Sequence, residues 1–146
     1  MRTVLLVLIA AGTVVGSPAV AQAPIDIGAA AAKSCDLGFT FSRPTVIPPG
    51  ISGDVWAHCD APPARHSMVV SLEKRDASGG WQTVGDPAVD ERIPRPRVNY
   101  EVHAFCEPGL WRVTAHVTGS LQGIPFDFTD HSKSVIVNAK DCNLGG

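Results

Sequence analysis

Short runs of alternating apolar and polar residues dominate the sequence and restrict the folds that it can adopt. The clearest run covers residues 111–118. One face carries Trp111, Val113, Ala115 and Val117, and the other carries Arg112, Thr114, His116 and Thr118. Because successive side chains of a β-strand point to opposite faces of its sheet, this pattern predicts a strand that is buried on one side only.

Similar runs recur along the chain, and glycine and proline separate them. They cover residues 39–46, 51–59, 68–74, 81–84, 99–106, 124–128 and 134–139. The glycine-rich segments 76–80 and 119–123 have the composition of hairpin turns. The prolines at 94 and 96 cannot donate to a ladder, so residues 93–98 are expected at an edge or in a crossing. Roughly seven short strands without helical periodicity predict an all-β, two-sheet sandwich.

The first 21 residues have the features of an export signal. Arg2 precedes an apolar run over residues 4–15, and the small residues Ala19 and Ala21 form a cleavage site. We therefore expect a signal peptide at residues 1–21 and a mobile lead-in at 22–34. One β-sandwich domain is expected at 35–142, with a tail at 143–146. The expected location is outside the cell or in the cell envelope.

Charge and hydropathy exclude two classes of partner. The chain has 12 basic and 14 acidic residues, so loss of Arg2 with the signal leaves a net charge of −3. A strongly basic nucleic-acid binder is therefore excluded. The apolar run near the start is shorter than the roughly 20 residues that span a bilayer, so no membrane insertion is expected. The oligomeric state and the identity of any partner stay open.

Four cysteines lie in the predicted exported chain: Cys35, Cys59, Cys106 and Cys142. An even number in an oxidising compartment predicts two disulfides. Their separations contain no C-x-x-C pair, so zinc-ribbon and thioredoxin-like sites are not expected. Four cysteines allow three pairings, and their spacing alone does not choose among them.

Two segments resemble an immunoglobulin-like sandwich. Residues 53–59 are similar to the second strand of that family, ending in Val55, Ala57 and Cys59, and residues 109–113 are similar to its sixth strand. With 8 arginines against 4 lysines and a bias toward alanine, glycine and valine, the chain resembles secreted immunoglobulin-like proteins of GC-rich, actinobacterial bacteria. The family's core disulfide is not implied here, because Cys106 precedes the sixth strand.

The resemblance implies a disulfide pairing. In a Greek-key sandwich of this type the first strand starts where the second ends, which implies a bond between Cys35 and Cys59. The fifth strand and the last strand end together at the opposite pole, which implies a bond between Cys106 and Cys142. Each bond would stabilise the fold by about 3 to 4 kcal/mol in the chain-entropy model. Pairing of Cys59 with Cys106 and of Cys35 with Cys142 is the alternative.

No residue pattern indicates catalysis, a cofactor or a metal. The serine in segment 119–123 does not fit the G-x-S-x-G elbow, and the flanking runs predict a hairpin. Alternation places His58, His103 and His116 on outward faces, and His66 and His131 are expected in loops. The acids that a glycosidase would need could come from Asp54, Glu73, Glu101 or Asp127. We interpret all these side chains as a solvated surface.

Four residues are the candidates for binding: Trp56, Arg92, Arg95 and Arg97. Trp56 is expected on an outward face, where it could stack on a sugar ring or anchor a protein, although a loop could equally cover it. The three arginines lie on a proline-rich segment that could hold an anionic partner. They could also serve only to block edge-to-edge aggregation.

These observations favour a secreted, non-enzymatic binding protein that recognises a protein or a cell-envelope glycan. The alternative is a carrier of a small ligand or a metal. A glycan-cleaving enzyme ranks third.

Overall fold

The computed structural model describes residues 35–143. Nine strands account for most of this range: β1 Asp36–Phe39, β2 Thr45–Ile47, β3 Gly50–His58, β4 Arg65–Arg75, β5 Trp81–Asp90, β6 Val98–Phe105, β7 Gly109–Leu121, β8 Ile124–His131 and β9 Val135–Val137. In the described range the only helical element is a 3₁₀ turn over Ala139–Cys142. The predicted signal peptide, the lead-in and residues 144–146 lie outside the described residues.

The strands form two antiparallel sheets, which confirms the all-β, two-sheet prediction. In the first sheet β3 is central, with β1 and β2 along one edge and β6 along the other. In the second sheet the order is β5, β4, β7 and β8, and β9 pairs with the other half of β7. This order is compatible with the predicted immunoglobulin-like connectivity.

The core lies between the sheets and consists of the inward positions of the alternating runs. Trp111 is fully buried on β7, and Val113, Ala115 and Val117 follow it at every second position. The indole Nε1 of Trp111 donates a hydrogen bond to the carbonyl oxygen of Glu107 at 2.9 Å, so burial leaves its polar atom satisfied. β4 contributes Met68, Val70 and Leu72 from the neighbouring strand.

The strand boundaries differ most from the sequence-based expectation at two places. The predicted strand at residues 39–46 is replaced by the end of β1, a bend over residues 40–43 and the start of β2 after Pro44. The strand predicted at residues 81–84 continues to Asp90. It can do so because β5 is an edge strand, where a glycine and a proline are tolerated in a bulge.

Both disulfides have the predicted pairing. Cys35 is bonded to Cys59 and Cys106 to Cys142, with Cα atoms 4.1 and 5.4 Å apart. The first bond lies beside the pairing of Asp36 with His58, where β3 ends. The second bond lies beside the pairing of Gly50 with Phe105, where β3 begins. The disulfides therefore close opposite ends of the sandwich, which we name the Cys35 pole and the Cys106 pole.

No helix in the described part of the chain is long and apolar enough to cross a membrane.

Candidate functional site

A groove lies between β5 and β6, the edge strands of the two sheets. Its volume is about 890 Å³, and we name it the β5–β6 groove. Among the described residues β5 pairs only with β4 and β6 pairs only with β3, so each presents an unpaired backbone edge. The lining is Ile47, Pro49, Gly50, Val84, Gly85, Asp86, Pro87, Ala88, Glu101, Val102, His103, Ala104, Phe105 and Glu107.

A bulge in β5 shapes one wall of the groove. Val70 pairs with Ala88 and Leu72 pairs with Val84, so Ser71 alone opposes residues 85–87. The first residue of the bulge is Gly85, with φ +78°, and a Cβ atom there would lie 2.6 Å from the carbonyl oxygen of His103. Only glycine fits both the backbone angle and this approach to β6. The bulge thus brings the edge of the second sheet against the edge of the first.

Two large apolar side chains are exposed beside the bulge. Phe105 is 82% exposed and Ile47 is 67% exposed. The register places Ile47 and Phe105 on either side of Gly50, on the outer face of the first sheet. Gly50 of β3 lies between Ile47 and Phe105 and has no side chain, so it covers neither of them. Adjacent exposed apolar side chains in a concavity are typical of a binding surface.

The groove is acidic. Its charged lining residues are Asp86, Glu101 and Glu107, and it has no lysine or arginine in its lining. Glu107 forms an ion pair with Lys74, and Glu101 lies 3.3 Å from the imidazole Nε2 of His103. Asp86 takes part in no ion pair found among residues 35–143. The groove therefore favours a cationic ligand.

Beside the groove, Asp54 and Glu101 face each other across the pairing of β3 with β6. Burial raises the pKa of Asp54, the nearby charge of Glu101 raises it further, and His103 opposes the shift. Of the other two acids considered for glycan cleavage, Glu73 is bound to Arg112 and Asp127 to His116. Of these four acids, Asp54 and Glu101 are the two that lie opposite each other on paired strands.

Of the four predicted binding residues, the structure brings Trp56 and Arg97 together. The guanidinium of Arg97 lies 4.3 Å from the centre of the indole ring. The ring also lies across Gly38, where a Cβ atom would be 2.7 Å from it. Trp56 is therefore outward, as predicted, and partly covered by its own neighbours.

The other two arginines do not form a cluster with Trp56 in the contacts of the described residues. Arg92 is held by the carboxylate of Asp90, with its Nε donating to both oxygens at 2.9 and 3.0 Å. Arg95 is exposed. Between them Pro94 is fully buried, and its carbonyl oxygen accepts a hydrogen bond from the amide of Cys59. The segment is the predicted crossing between β5 and β6, and the role of these four residues in binding stays a prediction.

Three histidines follow the prediction and two do not. His58, His103 and His116 are outward, each within 3.4 Å of a carboxylate. The placement of His131 in a loop is wrong, because it is the last residue of β8 and pairs with Thr114, although it is exposed. The placement of His66 in a loop is also wrong, because it is the second residue of β4 and only 4% exposed. The sequence does contain a signal for this burial. His66 lies two residues before Met68, so it continues the series of inward positions formed by Met68, Val70 and Leu72.

Sequence reasoning missed the groove for two reasons. Phe105 is an outward position next to an inward cysteine, and outward aromatic residues within a strand are a signal that could have found it. The wall formed by the bulge depends on how two sheet edges meet, and no local pattern encodes that.

Comparisons with known proteins give little further information. No family model and no curated protein matches the chain. One solved structure that it resembles is a protein named as a β-galactosidase from Bacteroides fragilis, with a TM-score of 0.42 and 15% identity. The likeness covers 69% of this chain and 16% of that chain, so this chain corresponds to a small part of the other protein.

Proposed function

We propose that the protein is a binding module that holds an extended, basic and apolar segment of a partner protein in the β5–β6 groove. The observation that carries the proposal is Phe105, whose side chain is 82% exposed in a concave surface between two unpaired strand edges. An exposed aromatic side chain of this kind is the usual anchor of a protein interface.

The backbone of the groove favours an extended ligand. β5 and β6 are not paired with each other, so the backbone groups of β6 away from the approach of Gly85 to His103 can pair with an added strand, whose alternate side chains would enter the groove. The bulge at residues 85–87 interrupts the β5 edge, so β6 is the strand that the segment pairs with.

The side chains of the groove favour a basic ligand. Asp86 and Glu101 supply negative charge in the same groove as Phe105 and Ile47. In a segment that alternates apolar and basic residues, the apolar side chains would contact Phe105 and the basic side chains would contact the carboxylates. An anionic ligand would meet uncompensated like charge.

The proposal is tested with two six-residue peptides, one alternating valine with lysine and the other alternating valine with glutamate. We expect the lysine peptide to bind, with backbone amide NMR shifts confined to β5 and β6, and the glutamate peptide to bind at least about tenfold more weakly. Phe105→Ser should weaken binding of the lysine peptide by a similar factor.

The matched control is Ile124→Ser, because Ile124 is also exposed, at 61%, and lies at the start of β8 away from the groove. It should leave binding unchanged. Equal binding of the two peptides, or no effect of Phe105→Ser, would refute the proposal. Binding of envelope oligosaccharides with shifts centred on Trp56 would favour glycan recognition instead.

We further propose that the protein is secreted, to the cell envelope or the medium. Both disulfides are of the kind that forms in oxidising compartments, and no cysteine is free in the described residues, which include all four. Mass spectrometry of the exported protein should find an N-terminus at Gln22 and no free thiol. An intracellular protein that keeps residues 1–21 would contradict this proposal.

A further inference from the structure

Three possible metal ligands converge at the Cys35 pole. The Sγ atoms of Cys35 and Cys59 and a ring nitrogen of His66 all lie within 4.8 Å of one another. Cys35 precedes β1, Cys59 follows β3, and the pairing of these strands brings the two sulfurs together. His66 reaches them from the other sheet. This is the one group of three such ligands found among residues 35–143.

The imidazole of His66 is buried without the hydrogen bonds that such a group needs. The residue is 4% exposed, and neither Nδ1 nor Nε2 makes a hydrogen bond of normal distance and angle, although the backbone of Arg92 lies close enough to interact with the ring. A buried polar group that is poorly hydrogen-bonded is costly, and most are satisfied. A ring nitrogen that makes no strong hydrogen bond has a lone pair available for a metal. A neutral imidazole is the form that binds a metal.

We propose that reduction of the disulfide between Cys35 and Cys59 creates a metal site in which both sulfurs and His66 bind a zinc-like divalent cation. A phosphine reductant supplies two electrons and is oxidised to its phosphine oxide with the oxygen of a water molecule, while the S–S bond breaks and the two protons of that water give two thiols. On metal binding both thiols release their protons and form sulfur–metal bonds, while His66 donates its lone pair. Three protein ligands leave one coordination position open to water.

The three ligand atoms are already neighbours, and the change required is local. In a tetrahedral site, ligands at about 2.0 to 2.3 Å from the ion lie about 3.3 to 3.8 Å apart. The three atoms lie within 4.8 Å of one another. The two sulfurs must move apart once their bond is broken, and His66 must approach the ion that lies between them. The other disulfide has no such third ligand in the described residues, so its reduction should create no comparable site.

The test uses the full chain, reduced with a phosphine in denaturant and refolded without oxygen in the presence of Co²⁺. We expect one Co²⁺ per chain with thiolate-to-cobalt charge-transfer absorption, and no such absorption from the oxidised protein. Cys35→Ser should abolish the absorption, whereas Cys142→Ser should retain it. His66→Ala should weaken Co²⁺ binding by at least about 100-fold, more than the loss of an outer-shell partner usually costs.

The matched control is His116→Ala, because His116 is solvent-accessible on β7 and belongs to no such group among the described residues. It should leave Co²⁺ affinity unchanged. Circular dichroism records whether each reduced chain folds, and a chain that folds only with Co²⁺ supports the site, since metal binding then supplies folding energy. Absence of charge-transfer absorption in the reduced wild type, or equal affinity of His66→Ala, would overturn the proposal.

Discussion

The two poles of the sandwich are closed by the same kind of bond, yet they differ in how polar and apolar groups are grouped. Toward the Cys35 pole, the ring nitrogens of His66 and the hydroxyl of Tyr100 on β6 are buried without a hydrogen bond of normal geometry. At the Cys106 pole, Phe105 at 82% and Ile47 at 67% are exposed together in one groove, whereas other exposed apolar side chains, such as Val89 and Ile124, lie outside it.

Each arrangement lowers the stability of the free protein and is informative for that reason. A buried polar group without a hydrogen bond costs about 1 to 3 kcal/mol, and an exposed apolar side chain forgoes burial worth about 1.5 to 3 kcal/mol. Such features persist where a ligand or a second state compensates for them. The comparison supports the two proposals, that a partner binds in the groove at the Cys106 pole and that the Cys35 pole can hold a metal site.

Removal of either disulfide should have the largest effect. We expect Cys35→Ser/Cys59→Ser and Cys106→Ser/Cys142→Ser each to lower the free energy of unfolding by about 2 to 5 kcal/mol, measured by urea denaturation. Only the second pair of changes should also weaken binding of the lysine peptide, because Cys106 directly follows Phe105. If both variants bind that peptide equally well, the disulfide between Cys106 and Cys142 does not shape the groove.

Gly85→Ala should have the next largest effect. Its φ of +78° disfavours any side chain, at a cost of about 1 to 3 kcal/mol, and the new Cβ atom would press on the carbonyl oxygen of His103. Urea denaturation should show this loss, together with weaker peptide binding because the bulge is displaced. The matched control is Gly123→Ala, also at positive φ but with no atom within 4 Å of its Cβ position. It should lose stability without losing binding.

His66→Leu should stabilise the oxidised protein by about 1 kcal/mol at pH 7, because it removes a buried ring whose nitrogens make no hydrogen bond of normal geometry. The effect should grow on acidification. The folded state holds the pKa of His66 below its usual 6.5, chiefly by burial, while the backbone of Arg92 and the charge of Asp90 oppose the shift. Below pH 6.5 the unfolded chain binds more protons, so wild-type stability falls as the pH drops toward the lowered pKa. Thermal unfolding should show that the variant loses less stability than the wild type between pH 7 and pH 5.5. Equal losses of stability in the two proteins would contradict this.

Tyr100→Phe and Phe105→Ser form the pair with the smallest effects on stability. The first removes a buried hydroxyl without a partner, so it should be neutral or stabilising by up to about 1 kcal/mol. The second removes an exposed ring and should change stability by less than about 0.5 kcal/mol. Denaturation curves measure both. A large loss from Phe105→Ser would mean that the ring supports the fold instead of a partner.

The sequence predicts the sheets well because alternation directly reports which side chains face the core. Trp111, Val113, Ala115 and Val117 are buried as the pattern requires. The disulfide pairing also follows, because the order of strands fixes which strand ends lie together. The pattern fails at residues 40–43, where a bend replaces the middle of the predicted strand.

The candidate sites were less predictable, since each depends on contacts between distant segments. Gly85 reads as a turn residue in the sequence, and its approach to His103 appears only when β5 meets β6. His66 lies next to a disulfide that closes between two other strands. Local periodicity predicts the face on which a residue lies, but it does not predict which distant residue lies opposite.

The most direct test of the proposed division between the poles is hydrogen–deuterium exchange of the oxidised protein with and without the valine–lysine peptide. We predict that the peptide slows exchange in β6 and in residues 85–88, because it pairs with the free strand edge. Exchange near Cys35, Cys59 and His66 should not change. Unchanged exchange in β6, or protection centred on the Cys35 pole, would contradict the account.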